Sequence, residues 1–340
     1  MQKIITERDK LLNEKGMLKN TGWAKDLLLE YNRADIRASK FKIKEWDYYC
    51  ILTENQGVAF TIADNSYLGV IAVTIFDFDK AKEISNSIIL PFTMGSLNMP
   101  PTSKNGDIIF KNKNISLNYI RGKESRTIEI DYLDFYNNEN LTGTIVLQQP
   151  EALESMVIAT PFPKNKLAFY YNQKINCLAA KGELILGDRN ITFSPDNSFG
   201  VLDWGRGVWT YSNTWYWGSA SGKIDGKLFG FNIGYGFGDT SKATENMVFY
   251  EGKAHKLDKV KFHIPNDDFL KPWKFTSNDS RFQMDFTPIL DRYSNTNLIL
   301  IKSTQHQVFG RFSGKVILDN GEEIIVENLV GFAEKVMNRW

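Results

Sequence analysis

The amino-acid sequence predicts an all-β protein built as two sheet-rich halves, and three observations carry that prediction. Aromatic residues are plentiful, with 23 Phe, 14 Tyr and 8 Trp, while 25 Gly against only 10 Pro supply turns without breaking strands. Apolar and polar residues alternate with the period of two that a half-buried strand requires. No segment shows the strand–helix–strand rhythm of a parallel sheet. At 340 residues the chain exceeds one typical core, so two halves are the natural division.

Taken in order, "MQKIITERDKLL" (Met1 to Leu12) has a helical look, with Thr6 and Asp9 in loose capping-box spacing, and predicts a short peripheral helix. "DYYCILTE", "GVAFTIADN", "YLGVIAVTIFDFD", "DIIFKNKNISLNYIRG", "RTIEIDYLDF" and "LTGTIVLQQP" then read as strands separated by Gly, Asn and Asp turns. "EALESMVIATPFP", with Pro161 and Pro163, reads as a crossing segment. It divides the chain into an N-terminal β half, residues 1–160, and a C-terminal β half, residues 161–340, which carries a Trp-rich motif. In the second half "AKGELILGDRNITFSP", "KLFGFNIGYGFG", "ENMVFYEGKAHKLDKVKFHIP", "FQMDFTPILD" and the run from "NLILIKSTQ" to "GFAEKV" continue the alternation. Within them "GDRN", "YEGK" and "LDNGEE" are hairpin turns, because Gly and Asn accept positive φ at little cost.

Charge and cysteine usage exclude several function classes. Lys and Arg total 41 against 40 Asp and Glu, a formal net charge of +1, so the basic footprint of a nucleic-acid binder is missing. The two cysteines, Cys50 and Cys177, lie far apart without ligand-like neighbours, which argues against a disulfide framework and a Cys-based metal site. A reducing, cytoplasmic setting is the expectation. The charged start has no apolar signal core, and no run reaches the roughly 18 apolar residues of a membrane helix, so no integral membrane segment is expected.

Searching for chemistry gives mostly negatives. G-x-S-x-G, Walker A, H-E-x-x-H and the dinucleotide fingerprint are all absent, so neither a nucleotide nor any other cofactor is expected. His255 and His263 would share a face if "KLDKVKF" between them were one strand, but no third ligand is spaced to complete a zinc site, and no metal is expected. His306 in "STQHQVFGRFSG" is either a cavity-facing strand residue or a satisfied structural imidazole.

One stretch remains, "DWGRGVWTYSNTWYWGSASG" from Asp203 to Gly222, which holds four of the eight tryptophans. With its continuation it mixes Asp203, Arg206, Tyr211, Asp239 and Glu245 into a lining of Trp204, Trp209, Trp215, Trp217, Tyr216, Asn232 and Tyr235. Sparse polar groups among rings are the makeup of a pocket for an apolar ligand. An acid there would be desolvated and kept protonated as a general acid, and ring faces would stabilise a developing cation. The competing reading is a Trp-rich core in which Asp203 pairs with Arg206 across a turn.

"NSFGVLDWGRGVWTYSNTWYWGSASG", "FGFNIGYGFGDTSKATENMVFYEGKAHKLDKVKFHIP", "STQHQVFGRFSG" and "GFAEKVMNRW", with "GMLKNTGWA" and "KIKEWDYY" near the start, resemble the domain-of-unknown-function family 2804 over nearly the full chain. The order of an acid and Trp-Gly, then "WYWG", then a Gly turn and another aromatic strand is similar, more distantly, to the lipocalin-like group of carotenoid 1,2-hydratases, tocopherol cyclases and Diels-Alderases. That resemblance implies a calycin fold, two lipocalin-like antiparallel barrel or sandwich halves with few peripheral helices, holding a hydrophobic ligand. It also implies acid-initiated hydration of an alkene without a cofactor. Those enzymes tend to carry an Asp-His pair before Trp-Gly, whereas this chain reads Asp203, Trp204, Gly205.

The expected function is therefore a cofactor-free enzyme acting on a small, largely apolar molecule of isoprenoid or acyl type by hydration, cyclisation or isomerisation. Asp203 or Asp239 would be the acid, with Arg206, Tyr211, His306 and Glu245 in support. Two alternatives stay open: a non-catalytic hydrophobic-ligand or lipid-binding protein, and a carbohydrate-active enzyme drawing a carboxylate pair from Asp203, Asp239, Glu245 and Asp291.

Overall fold

In the computed structural model, which describes residues 2–297 and 302–339, the chain forms two curled antiparallel sheets. Met1, residues 298–301 and Trp340 lie outside the described residues, and with them the first residue of the expected N-terminal helix and part of the strand expected from Asn297. Among the described residues the first sheet has 13 strands and the second 9. No helix among them is long and apolar enough to cross a membrane.

The main path of the first sheet runs, neighbour to neighbour, through Lys82–Pro91, Leu68–Asp77, Gln56–Asp64, Ile43–Leu52, Phe199–Val208, Asn165–Leu186, Glu139–Gln148, Ser125–Tyr136, Ile115–Arg121 and Ile108–Lys111. The second runs through Lys253–Lys256, Met247–Tyr250, Lys227–Tyr235, Ser212–Ile224, Glu323–Arg339, Lys302–Ile317, Phe282–Asn297, Trp273–Ser277 and Val260–His263. The chain passes from one sheet to the other between Val208 and Ser212. The Trp-rich stretch is thus two strands, one in each sheet, joined by a short crossing at Trp209, Thr210 and Tyr211. We propose that crossing as the boundary of the two halves. The stretch around Pro161, expected to cross, instead forms the strand Met156–Phe162, with Pro161 opposite Phe169 in the first sheet.

A 22-residue strand, Asn165–Leu186, organises the interface between the sheets. Its pairing with Phe199–Val208 slips between Ile175 and Leu178, and Cys177 there has φ of 61°, in the left-handed region that a bulge imposes. The bulge turns Asn176 toward the second sheet, where its Nδ2 donates to Ser219 Oγ at 2.8 Å and to the Phe231 carbonyl at 3.0 Å. The Cys177 N–H donates to Ser221 Oγ at 3.0 Å. Gly230 is needed opposite, because a Cβ on it would lie 2.6 Å from Cys177 Sγ. Cys50 and Cys177 are both free and buried.

The N-terminal segment differs from expectation. Ile4 bridges Trp23, and Asp9–Lys10 pairs in parallel with Leu29–Glu30. Ile5, Leu11 and Leu12 are buried in the core of the first sheet, and for so short a segment that burial outweighs a weak helical preference. Two single-turn 3-10 elements, Arg33–Asp35 and Lys40–Lys42, are the helical elements among the described residues. Replacing Asn176 by Ala removes its side-chain bonds to the second sheet. It is expected to lower stability by about 1–3 kcal/mol in urea denaturation, with far-UV circular dichroism still dominated by strand.

Candidate functional site

A cavity of about 300 Å³ lies between the two sheets. The pleat decides what lines it. From the first sheet come Trp46 and Tyr48, Thr61 and Ala63, Val70 and Ala72, Tyr170 and Lys174, and Asp203. From the second come Trp215 and Trp217, Ser303, Gln305 and Gln307, Glu334, Val336 and Asn338, and Arg292. Within each strand these residues are two or four apart, and they face one another across the ladders: Lys174 and Tyr48 are both opposite Asp203, while Trp217 and Gln307 are both opposite Glu334. Small side chains at Ala63, Val70 and Ala72 leave the space open.

At the charged end, Lys174 Nζ lies 2.8 Å from Asp203 Oδ2 and 3.6 Å from the Trp217 ring centroid. Asn172 Nδ2 donates to the other Asp203 oxygen at 2.6 Å. Glu334 accepts from Trp215 Nε1 at 2.9 Å and from Gln307 Nε2 at 3.2 Å. Burial nevertheless pushes the Glu334 carboxyl up to about 7, and the Asp203 charge acts in the same direction. Glu245 comes from the segment after Lys227–Tyr235, and its carboxylate occupies the space that a Cβ on Gly234 would fill. Burial raises its pKa as well. The result is a lining with three buried carboxylates, one closely paired lysine and Arg292.

The aromatic side chains pack around these groups. Trp46 stacks on Tyr170 at 6.2 Å, and Trp209 meets Trp46, Trp215 and Phe237 edge-on at 5.3, 5.7 and 4.7 Å. Such pairs are worth about 0.5–1.5 kcal/mol each beyond the area they bury. Gly205 is required by this arrangement, since a Cβ there would fall 2.0 Å from Trp46 Cζ2. The Trp-Gly dipeptide therefore reads as one ring turned away from the cavity, at Trp204, followed by a flat place on which Trp46 lies.

The residues singled out from the sequence separate accordingly. Asp203, Glu245, Trp209, Trp215 and Trp217 line the cavity, and Asn232 supports it by accepting from Trp217 Nε1 at 2.7 Å. Arg206 lies three residues from Asp203 on the same strand and so projects from the other face of the sheet. There it pairs with Asp47 at 2.9 Å and lies 4.4 Å from the ring of Trp204, which shares that face. The Asp203–Arg206 pair of the competing reading is thus replaced by Lys174–Asp203, and burial pushes Asp47 up to about 6. Asp239 sits outside the lining, its carboxyl held below the usual range by the Ser241 N–H. Tyr216 and Tyr235 stack on each other at 4.5 Å beside Phe262, outside the cavity, and Tyr211 is exposed at the crossing. His306 pairs with Asp291 at 2.7 Å and stacks on Phe269, also outside it. His255 and His263 belong to different strands, Lys253–Lys256 and Val260–His263, rather than to one. Lys174, Glu334, Gln307, Arg292, Trp46, Tyr48 and Tyr170 were not singled out. Their only signal was a polar or aromatic residue at a core-facing strand position, as in "EWDYY", "FYYNQK" and "GFAEKV".

Lys174→Met is expected to destabilise by about 3–5 kcal/mol, because it strands a buried carboxylate, and Lys174→Met combined with Asp203→Leu should recover most of the loss in chemical denaturation. For Glu334 the folded carboxyl holds its proton up to about 7 against an ordinary 4.5. The folded state therefore binds more protons across that window, and this group withdraws stability as pH rises through it. Glu334→Gln should gain stability relative to the unsubstituted protein between pH 5 and pH 8, measured by urea titrations at both.

No protein of curated function matches the chain in sequence. Among solved structures it is similar to one from Nitrosomonas europaea described as a candidate AttH (TM-score 0.55, 13% identity, 90% of this chain and 96% of that one). It is also similar to kievitone hydratase from Nectria haematococca (0.52, 10%, 87% and 88%) and to CghA (0.54, 10%, 98% and 97%). At these identities the likeness is one of fold. A family model matches residues 2–340, and the chain belongs to the family described as domain of unknown function DUF2804.

Proposed function

We propose that the protein is an enzyme that protonates a largely apolar small molecule, of isoprenoid or acyl type, in the cavity between its sheets and so initiates hydration, cyclisation or isomerisation. One observation carries this: Glu334, 4% exposed and with its pKa pushed up to about 7, faces a ring-lined space. A carboxylic acid in that range is protonated in a useful fraction at neutral pH and still strong enough to give its proton up. Trp215 and Gln307 fix its orientation. The proton passes from Glu334 to an alkene carbon, the neighbouring carbon becomes cationic beside the indole faces, and water, an internal nucleophile or loss of a proton ends the reaction. Asp203, clamped by Lys174 and Asn172, is the fixed counter-charge rather than the donor.

Kievitone hydratase, similar in fold, carries hydration in its name, which supports this reading. The carbohydrate reading draws less support, because Asp239 and Asp291 lie outside the lining. The binding-protein reading shares the cavity and differs only in turnover. Protein purified without detergent and examined by native mass spectrometry should carry a small apolar ligand. Incubated with it in deuterated water, the unsubstituted protein should place a solvent deuteron on carbon, with a rate that falls as pH rises through about 7. Glu334→Gln should keep the ligand and lose at least a hundredfold in rate, the low end of what a general acid contributes, about 10²–10⁴. Ligand recovered unlabelled from the unsubstituted protein would favour storage over catalysis.

A further inference from the structure

The lining holds three carboxylates against two cations, Lys174 and Arg292. Asp203 has Lys174 at 2.8 Å, and Arg292 lies 3.4 Å from Glu83, outside the lining. Among the described residues, neither Glu245 nor Glu334 is in an ion pair, although both are more than nine-tenths buried. Five rings of the same lining, Trp46, Tyr170, Trp209, Trp215 and Phe237, form a box, with Tyr170 and Phe237 at 4.8 Å and Trp215 and Phe237 at 5.3 Å. Glu334 holds Trp215 through its indole N–H. Burial first, and then the charges of Glu245, Asp203 and Glu334, raise the Tyr170 hydroxyl well above its ordinary value. The protein already shows how such a wall holds an ammonium: Lys174 Nζ sits over Trp217 and against Asp203.

We propose that the ligand of this cavity carries an ammonium group on an apolar body, seated in the box of five rings with Glu245 and Glu334 as its counter-charges. The inference rests on reading the cavity as a ligand site and names the class of molecule that fits. Where Glu334 is ionised, a neutral ligand excludes water from carboxylates and leaves their charge uncompensated, whereas a cation compensates it and gains the ring faces.

The probes are benzyltrimethylammonium and its neutral isostere neopentylbenzene, titrated calorimetrically into the full chain at pH 8 and pH 5.5. At pH 8 the ammonium should bind at least tenfold more tightly than the isostere, and the preference should shrink at pH 5.5 as Glu334 takes up its proton. Lys174, Asp203 and Arg292 also face the pair, and Lys256, which burial brings down to about 7, gains its proton over the same interval and weakens cation binding in the same sense. Glu245→Gln and Glu334→Gln, compared at pH 8 alone, isolate the glutamates: each should cut the ammonium's preference several-fold while isostere binding stays unchanged. Equal binding of the two probes at pH 8 would overturn the inference and leave the apolar-cavity reading standing. Failure of both to bind the unsubstituted protein would overturn both readings.

Discussion

The ion pair of Lys174 with Asp203 is the interaction around which the site is arranged. Both residues belong to the first sheet, yet the ammonium lies on the Trp217 ring of the second, so one charge contacts both walls of the cavity. A lysine that deep is tolerable only with a carboxylate and a ring face to replace its hydration. Asp203 in turn is held by Asn172, and its fixed charge contributes to the proton affinity of Glu245 and Glu334. Remove the pair and the remaining carboxylates would face each other across an apolar space.

The scaffold keeps the two polar systems of the first sheet apart. Alternation along Phe199–Val208 sends Asp203 and Gly205 to the cavity, and Trp204 and Arg206 to the other side. There Arg206 meets Asp47 and the Pro100 carbonyl, while Arg126 reaches Tyr49 and the Ser103 carbonyl, a network that ties the segment around 100–103 onto the sheet. Arg206 and Arg126 both find acceptors within that network, as buried guanidinium groups require. The cavity side has open volume and, among the described residues, two buried glutamates without an ion pair. The contrast between the two faces of one strand distinguishes the candidate site from ordinary buried polarity.

The bulge at Cys177 plays the corresponding part for the fold. By reversing the pleat locally it lets one strand belong to the first sheet while Asn176 bonds to the second. The sheets are thereby fixed at a spacing that leaves room for the cavity further along the same strand, at Tyr170 and Lys174.

The sequence by itself determined the all-β class, because period-two alternation and Gly and Asn turns are local properties of the chain. It also marked the Trp-rich stretch and, within it, Asp203, Trp209, Trp215 and Trp217. What it left undecided is which carboxylate meets which cation. Asp203 and Arg206 are neighbours in sequence, but a strand sends positions three apart to opposite faces, whereas Lys174 is 29 positions away and directly opposite in the ladder. Glu334 lies still further off, in a stretch that reads as an ordinary core strand, and it acquires its proton affinity only when the second sheet closes over the first. The N-terminal segment tells the same story: a weak helical pattern was overruled by the burial of Ile5, Leu11 and Leu12. Register and desolvation are products of chain closure, so the tertiary structure alone decided the partners and the charges of the site.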